Sequence, residues 1–172
     1  MLDSATGDIK TVCPDPILTG TKQGKCGVTG PDSAKRASYG VLDNGELKIT
    51  GHKSYVTGGH TADFVSALIN IEDAEGAKLG TAMVVIDLDL PGVNVSGRFT
   101  SLDGSSHASI DFVDVVLPET RMVGKLGVGM PRALGNMGNV RVLVAAEATG
   151  VGIWVLGFGD QAVKALHGRG PP

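Results

Sequence analysis

The stretch ASYGVLDNGELKIT, residues 37–50, decides the fold class. Residues 37–42 read as a strand, Asp43-Asn44-Gly45 as a turn, and residues 47–50 as the returning strand. Asn-Gly is a strong hairpin signal because the tight turn needs positive φ, which glycine adopts freely and asparagine tolerates. The chain therefore contains antiparallel β structure at its centre.

The same grammar continues on the C-terminal side. Gly51 interrupts the returning strand, and residues 54–57 resume it. Residues 64–71 read as a strand and 81–88 are strongly strand-like, with a polar loop over 73–80 between them and Pro91-Gly92 after them. Residues 93–95 alternate again. Residues 108–116 alternate through Ile110, Phe112 and Val115 or Val116, and Pro118 closes the run. About seven short strands between frequent turns suit a sandwich or a closed barrel. The expectation is a mainly β chain with an antiparallel β-barrel-like domain over residues 24–127.

Residues 1–23 hold the breakers Pro14, Pro16 and Gly20 and no sustained period, so they read as an irregular lead-in. After Gly129 the pattern turns helical, with Pro131 near the first turn, where its missing N–H costs nothing. Residues 128–172 are read as one long apolar helix. It contains Gly150, Gly152, Gly157 and Gly159, each costing up to about 1 kcal/mol relative to alanine. Apolar residues lie nearly all the way round it, and a β domain offers only one face. The expectation is that more chain or a partner subunit covers it. The closing His-Gly-Arg-Gly-Pro-Pro stops it.

Composition narrows the function classes. Of 172 residues, 42% are hydrophobic and 19% charged, enough for a core. Only 4% are aromatic, so that core rests on Val, Ile, Leu and Ala. A net charge of −3 argues against nucleic acid, whose phosphates need clustered Lys and Arg. No secretory signal and no uninterrupted apolar run of about 18 residues is visible, so the expected location is the cytoplasm, with no membrane span. Cys13 and Cys26 make no disulfide framework and read as reduced thiols. Asn94-Val95-Ser96 fits a glycosylation sequon that means little without such a signal.

Familiar catalytic patterns do not fit. His52, His60, His107 and His167 are scattered without metal-ligand spacing, so no metal is expected. No G-x-S-x-G elbow occurs, and Ser105-Ser106-His107 reads as a loop. Gly124, Gly127 and Gly129 do not form a dinucleotide fingerprint. Two strand edges remain: Cys26-Gly27-Val28-Thr29-Gly30-Pro31-Asp32 and Lys53-Ser54-Tyr55-Val56-Thr57-Gly58-Gly59. Each sets a hydroxyl beside main-chain amides at a glycine turn, and Tyr55 offers a flat face. Such edges can donate hydrogen bonds to a planar, oxygen-rich ring. The same residues also serve as ordinary strand ends, with Tyr55 covering the barrel.

Five stretches in order, over about residues 13–167, resemble the acyl-CoA dehydrogenase family. Residues 29–36 resemble its T-E-P-x-A-G-S-D, and residues 53–59 its K-x-[WF]-I-T-N-G. Asp89-Leu90-Pro91-Gly92-Val93 resembles D-x-P-G-V, and residues 110–118 resemble L-x-F-x-D-V-x-V-P. Residues 141–150 resemble R-x-x-x-A-A-x-A-x-G, which opens the first C-terminal helix of that family. The resemblance implies the middle domain of an FAD enzyme that dehydrogenates acyl-CoA thioesters between the α and β carbons. It implies that Val28 and Thr29 hold the flavin ring, that Tyr55 and Thr57 pack on it and bond to it, and that Arg141 lies near the substrate. It also implies that the oily helix belongs to a four-helix bundle in a homo-oligomer.

The departures are specific. The family Glu is Gly30, its Ser and Asp are Lys35 and Arg36, and its Asn is Gly58. Lys35-Arg36 reads as a solvated basic turn ahead of a phosphate contact. The family's N-terminal helical domain and its three later helices, which hold the catalytic carboxylate, have no counterpart here. No catalytic residue is therefore assigned, and the chain is expected not to run the reaction alone. An acyl-CoA oxidase or flavin-dependent monooxygenase on the same fold is one alternative, and a non-catalytic β-barrel interaction module is another.

Overall fold

The computed structural model describes Ile9, residues 14–31 and residues 34–168. Cys13, Asp32, Ser33 and the terminal Arg169-Gly170-Pro171-Pro172 lie outside the described residues. The chain divides into two units, Met1–Ala133 and Leu134–Pro172.

Among the described residues of the first unit, a short helix, α1 (Pro14–Leu18), lies inside the stretch read as irregular. Eight strands follow: β1 (Gly24–Gly27), β2 (Tyr39–Asp43), β3 (Glu46–Thr57), β4 (Phe64–Asp73), β5 (Lys78–Asp87), β6 (Val93–Thr100), β7 (Ser106–Pro118) and β8 (Met122–Val123). The hairpin forms as read. Asp43 faces Glu46 across a two-residue turn, with Asn44 at φ 47° and Gly45 at φ 82°. Positive φ at both positions is the geometry that matches the twist of the flanking strands.

The two pieces read around Gly51 are one strand, β3. Its pairing with β7 shifts register between Ile49 and Gly51 and again between Lys53 and Val56. A Cβ at Gly51 would lie 2.5 Å from the Cα of Ser38, so the bend needs glycine.

The sheet is mixed, not antiparallel throughout. The order is β6-β7-β3-β2-β4-β5-β8, and β1 adds to β4 off this path. β1 and β2 both pair with β4 in parallel, while the remaining pairs are antiparallel. No pairing joins β6 to β8 among the described residues, so the path stays open and the sheet is not a closed barrel. It does curl. Ile110 and Phe112 of β7 share one core cluster with Val84 and Ile86 of β5, four places away in the order.

Burial explains the sequence pattern strand by strand. In β4, Val65, Ala67, Ile69 and Ile71 enter that cluster, while Phe64 and Leu68 enter a second one with Met83 and Val85 of β5. Strands buried on both faces read as continuous apolar runs. In the first half of β3 the alternate residues Leu47 and Ile49 are buried between exposed Glu46 and Lys48, so that part of its text alternates.

The helix α2 (Gly129–His167) begins where the glycine and Pro131 placed it, with the Met130 N–H donating to the Thr81 hydroxyl at 3.0 Å. From Leu134 to His167 every side chain described is exposed. Trp154 and Phe158 stack on each other at 5.7 Å between ring centroids. By length and composition alone α2 could cross a membrane, so the expectation of no span draws no support from it. The core helix of a soluble bundle has the same composition.

Candidate functional site

The two strand edges singled out in the sequence lie side by side. The Ser54 N–H donates to the Thr29 carbonyl at 3.1 Å, and Lys53 Nζ donates to the Val28 carbonyl, also at 3.1 Å. These bonds tie the loop after β1 to the C-terminal half of β3. They bring Val28, Thr29 and Tyr55 together, with Thr57 one alternation further along the strand. The Thr29 hydroxyl is exposed and has no partner among the described residues.

Tyr55 is 66% exposed, and its ring meets Phe99 of β6 edge-on, with centroids 4.8 Å apart at 82°. Edge-to-face contact is a favoured aromatic geometry and fixes the ring. The Thr57 hydroxyl lies 3.0 Å from His107 Nδ1, and the other ring nitrogen of His107 lies 2.7 Å from the Ser101 hydroxyl. Ser106 bridges to His60 at 3.1 Å. Thr57 is thus held from within the sheet while remaining exposed.

Beside this edge lies a cavity of about 440 Å³ lined by Val28, His52, Lys53, Leu68, Asn70 and Met130, among others. Lys53 is only 4% exposed, and loss of solvation pulls its pKa from 10.5 down to about 8. His52 pairs with Asp111, whose other oxygen accepts from the Ser96 hydroxyl at 3.0 Å. Arg36 does not stand free for a phosphate: it pairs with Glu72 and lies 3.6 Å above the Tyr39 ring. Among the described residues no group of three or more His, Cys, Asp or Glu gathers around a metal position. Cys26 is a free thiol on β1.

Arg141 lies on α2 in the second unit and is exposed. Sequence reasoning missed three participants. Phe99 sits beyond the register shift between Ser96 and Arg98, which carries β6 past the short stretch read as strand. His107, in a stretch that reads as a loop, is the second residue of β7. Lys53 was noted without a role. The available signals were the scarcity of aromatics, which makes each one informative, and a lysine inside an otherwise strand-like apolar segment.

No family model matches the chain. A short-chain-specific acyl-CoA dehydrogenase of Clostridium acetobutylicum is 28% identical over 142 residues, covering 79% of this chain and 37% of that protein. A probable acyl-CoA dehydrogenase of Mycobacterium tuberculosis is 30% identical over 126 residues, covering 71% and 19%. In structure, a probable acyl-CoA dehydrogenase from Mycobacterium abscessus superposes with a TM-score of 0.68 at 27% identity, over 78% of this chain and 37% of that one. In sequence and in fold the chain is similar to acyl-CoA dehydrogenases over most of its own length. It spans well under half the length of these acyl-CoA dehydrogenases.

Proposed function

We propose that this chain supplies the flavin-holding β domain of a cytoplasmic acyl-CoA dehydrogenase and that it does not run the reaction alone. The observation that supports this reading is the pair of bonds joining Val28-Thr29 to Lys53-Ser54. The Val28 and Thr29 carbonyls are satisfied inward, so the loop offers its hydroxyl, and Tyr55 and Thr57 stand exposed along the same edge. That donor set fits a planar ring with oxygen acceptors. When bound, FAD would supply the acceptor for the β-hydride of an acyl-CoA thioester. Thr29 and Thr57 would donate to the ring, Tyr55 would cover one face, and Phe99 and His107 would hold Tyr55 and Thr57 in place. Preorganised donors matter because charge grows on the pyrimidine side of a reduced flavin. No residue is proposed as the base that takes the α-proton. Arg141 is proposed as a substrate contact, and a homo-oligomer as the cover for α2.

The test is FAD retention through gel filtration. The reading expects flavin absorbance to co-elute with the chain, and the double variant Thr29→Val/Thr57→Val to weaken retention roughly tenfold or more, at about 1 kcal/mol per hydrogen bond. A folded chain that elutes free of flavin would overturn it.

A further inference from the structure

Three basic side chains line the cavity beside the β1–β3 edge, and Lys53 differs from the other two. Arg36 is paired with Glu72 and His52 with Asp111, whereas Lys53 has no carboxylate partner among the described residues. Among the described residues its hydrogen bond runs to the Val28 carbonyl at 3.1 Å. A buried ammonium without a counter-charge is costly, and the group escapes that cost by giving up its proton.

We propose that Lys53 is an acyl acceptor, whose amine takes the acyl group of a short-chain acyl thioester entering this cavity. The proposal rests on the acyl-thioester part of the reading above. The geometry supplies each requirement. The neutral amine donates one N–H to the Val28 carbonyl, and this bond orients the nitrogen and leaves its lone pair available to an electrophile. Val28, Leu68 and Met130 give the cavity apolar walls, and about 440 Å³ is at the small end of ligand pockets, which suits a short acyl chain.

In the step itself Lys53 Nζ attacks the thioester carbonyl. A C–N bond forms and the C–S bond breaks. The proton lost from nitrogen leaves with the thiol, and nothing is oxidised or reduced. With its pKa at about 8, roughly a tenth of the amine is neutral at pH 7, some 300-fold more than for an ordinary lysine.

The experiment incubates the full chain with butyryl-CoA between pH 7 and 9 and follows each lysine by peptide mass spectrometry. Lys53 should gain a butyryl group about tenfold faster than the exposed Lys78 and Lys125, with a rate that climbs to a plateau near pH 9. The preference should vanish in urea, and Lys53→Arg, folded by circular dichroism, should lose the fast phase. Equal rates at Lys53 and Lys125 would overturn the proposal. So would a label released by hydroxylamine, which would place a thioester on a cysteine instead. Flavin retention reports separately: a chain that holds FAD but acylates Lys53 slowly overturns this inference alone, and the reverse result overturns the flavin reading alone.

Discussion

The β unit and the helix use similar apolar residues and treat them in opposite ways. In the sheet, Val65, Ile69, Val84, Ile86, Ile110 and Phe112 are all within 1% of full burial. On α2, Leu143, Ile153, Trp154, Leu156 and Leu166 are each at least 68% exposed. The sheet closes its own core because β4 and β5 bury both faces and the curl brings β7 to them. The helix makes no such core from its own residues. A hydrophobic sequence thus states a need for cover, and topology decides whether the same chain meets it.

This contrast is sharpened first by truncating the sheet core. Phe112→Ala should destabilise the chain by about 3–5 kcal/mol, read as a lowered urea midpoint with unchanged slope. A loss below about 1 kcal/mol would break the contrast by showing the core to be loosely packed.

Next comes the buried lysine. Lys53 releases its proton at about pH 8 in the folded chain and at its ordinary 10.5 when unfolded. Between those values the unfolded chain holds more protons, so stability rises with pH across the window, by roughly 3 kcal/mol when complete. The gain is lost as pH falls through 8. Lys53→Met should flatten that rise in urea titrations from pH 7.5 to 10.5, and an unchanged slope would place the titration elsewhere.

A smaller effect is expected at the hairpin. Gly45→Ala puts a side chain at φ 82° and should cost about 1–2 kcal/mol in the same titration. The smallest belongs to the helix: Trp154→Ala should change the stability of the dilute chain by less than about 0.5 kcal/mol. If that cost grows with protein concentration, a second copy covers the helix, and the contrast holds only for the isolated chain.

Local chemistry was legible in the sequence, and distant pairing was not. Asn44-Gly45 named its turn, the apolar runs of β4 and β5 marked both as strands, and Gly129 with Pro131 marked the start of α2. The parallel pairing of β1 and β2 with β4 was illegible, because strand order depends on contacts between residues far apart in the chain. The same gap turned an open, curled sheet into an expected barrel. At the site, residues 26–32 and 53–59 were picked out together, and the Thr29–Ser54 bond shows them adjacent. The partners that hold them were missed for a physical reason. Register shifts in β3 and β6 change which side chains share a face, and they leave no mark on alternation.

The pairing of Glu46 with Pro118 at one end of the β3–β7 ladder sets a schedule as well as a shape. The hairpin between β2 and β3 can close in microseconds, as soon as both strands exist. Its outer edge must then wait for a partner made roughly seventy residues later, about 4–14 s at ordinary rates of synthesis. During that interval β3 presents a bare row of amides and carbonyls to whatever strand arrives first. The nascent chain is most open to mispairing with a neighbour in that window, and a chaperone that shields an extended segment would act there.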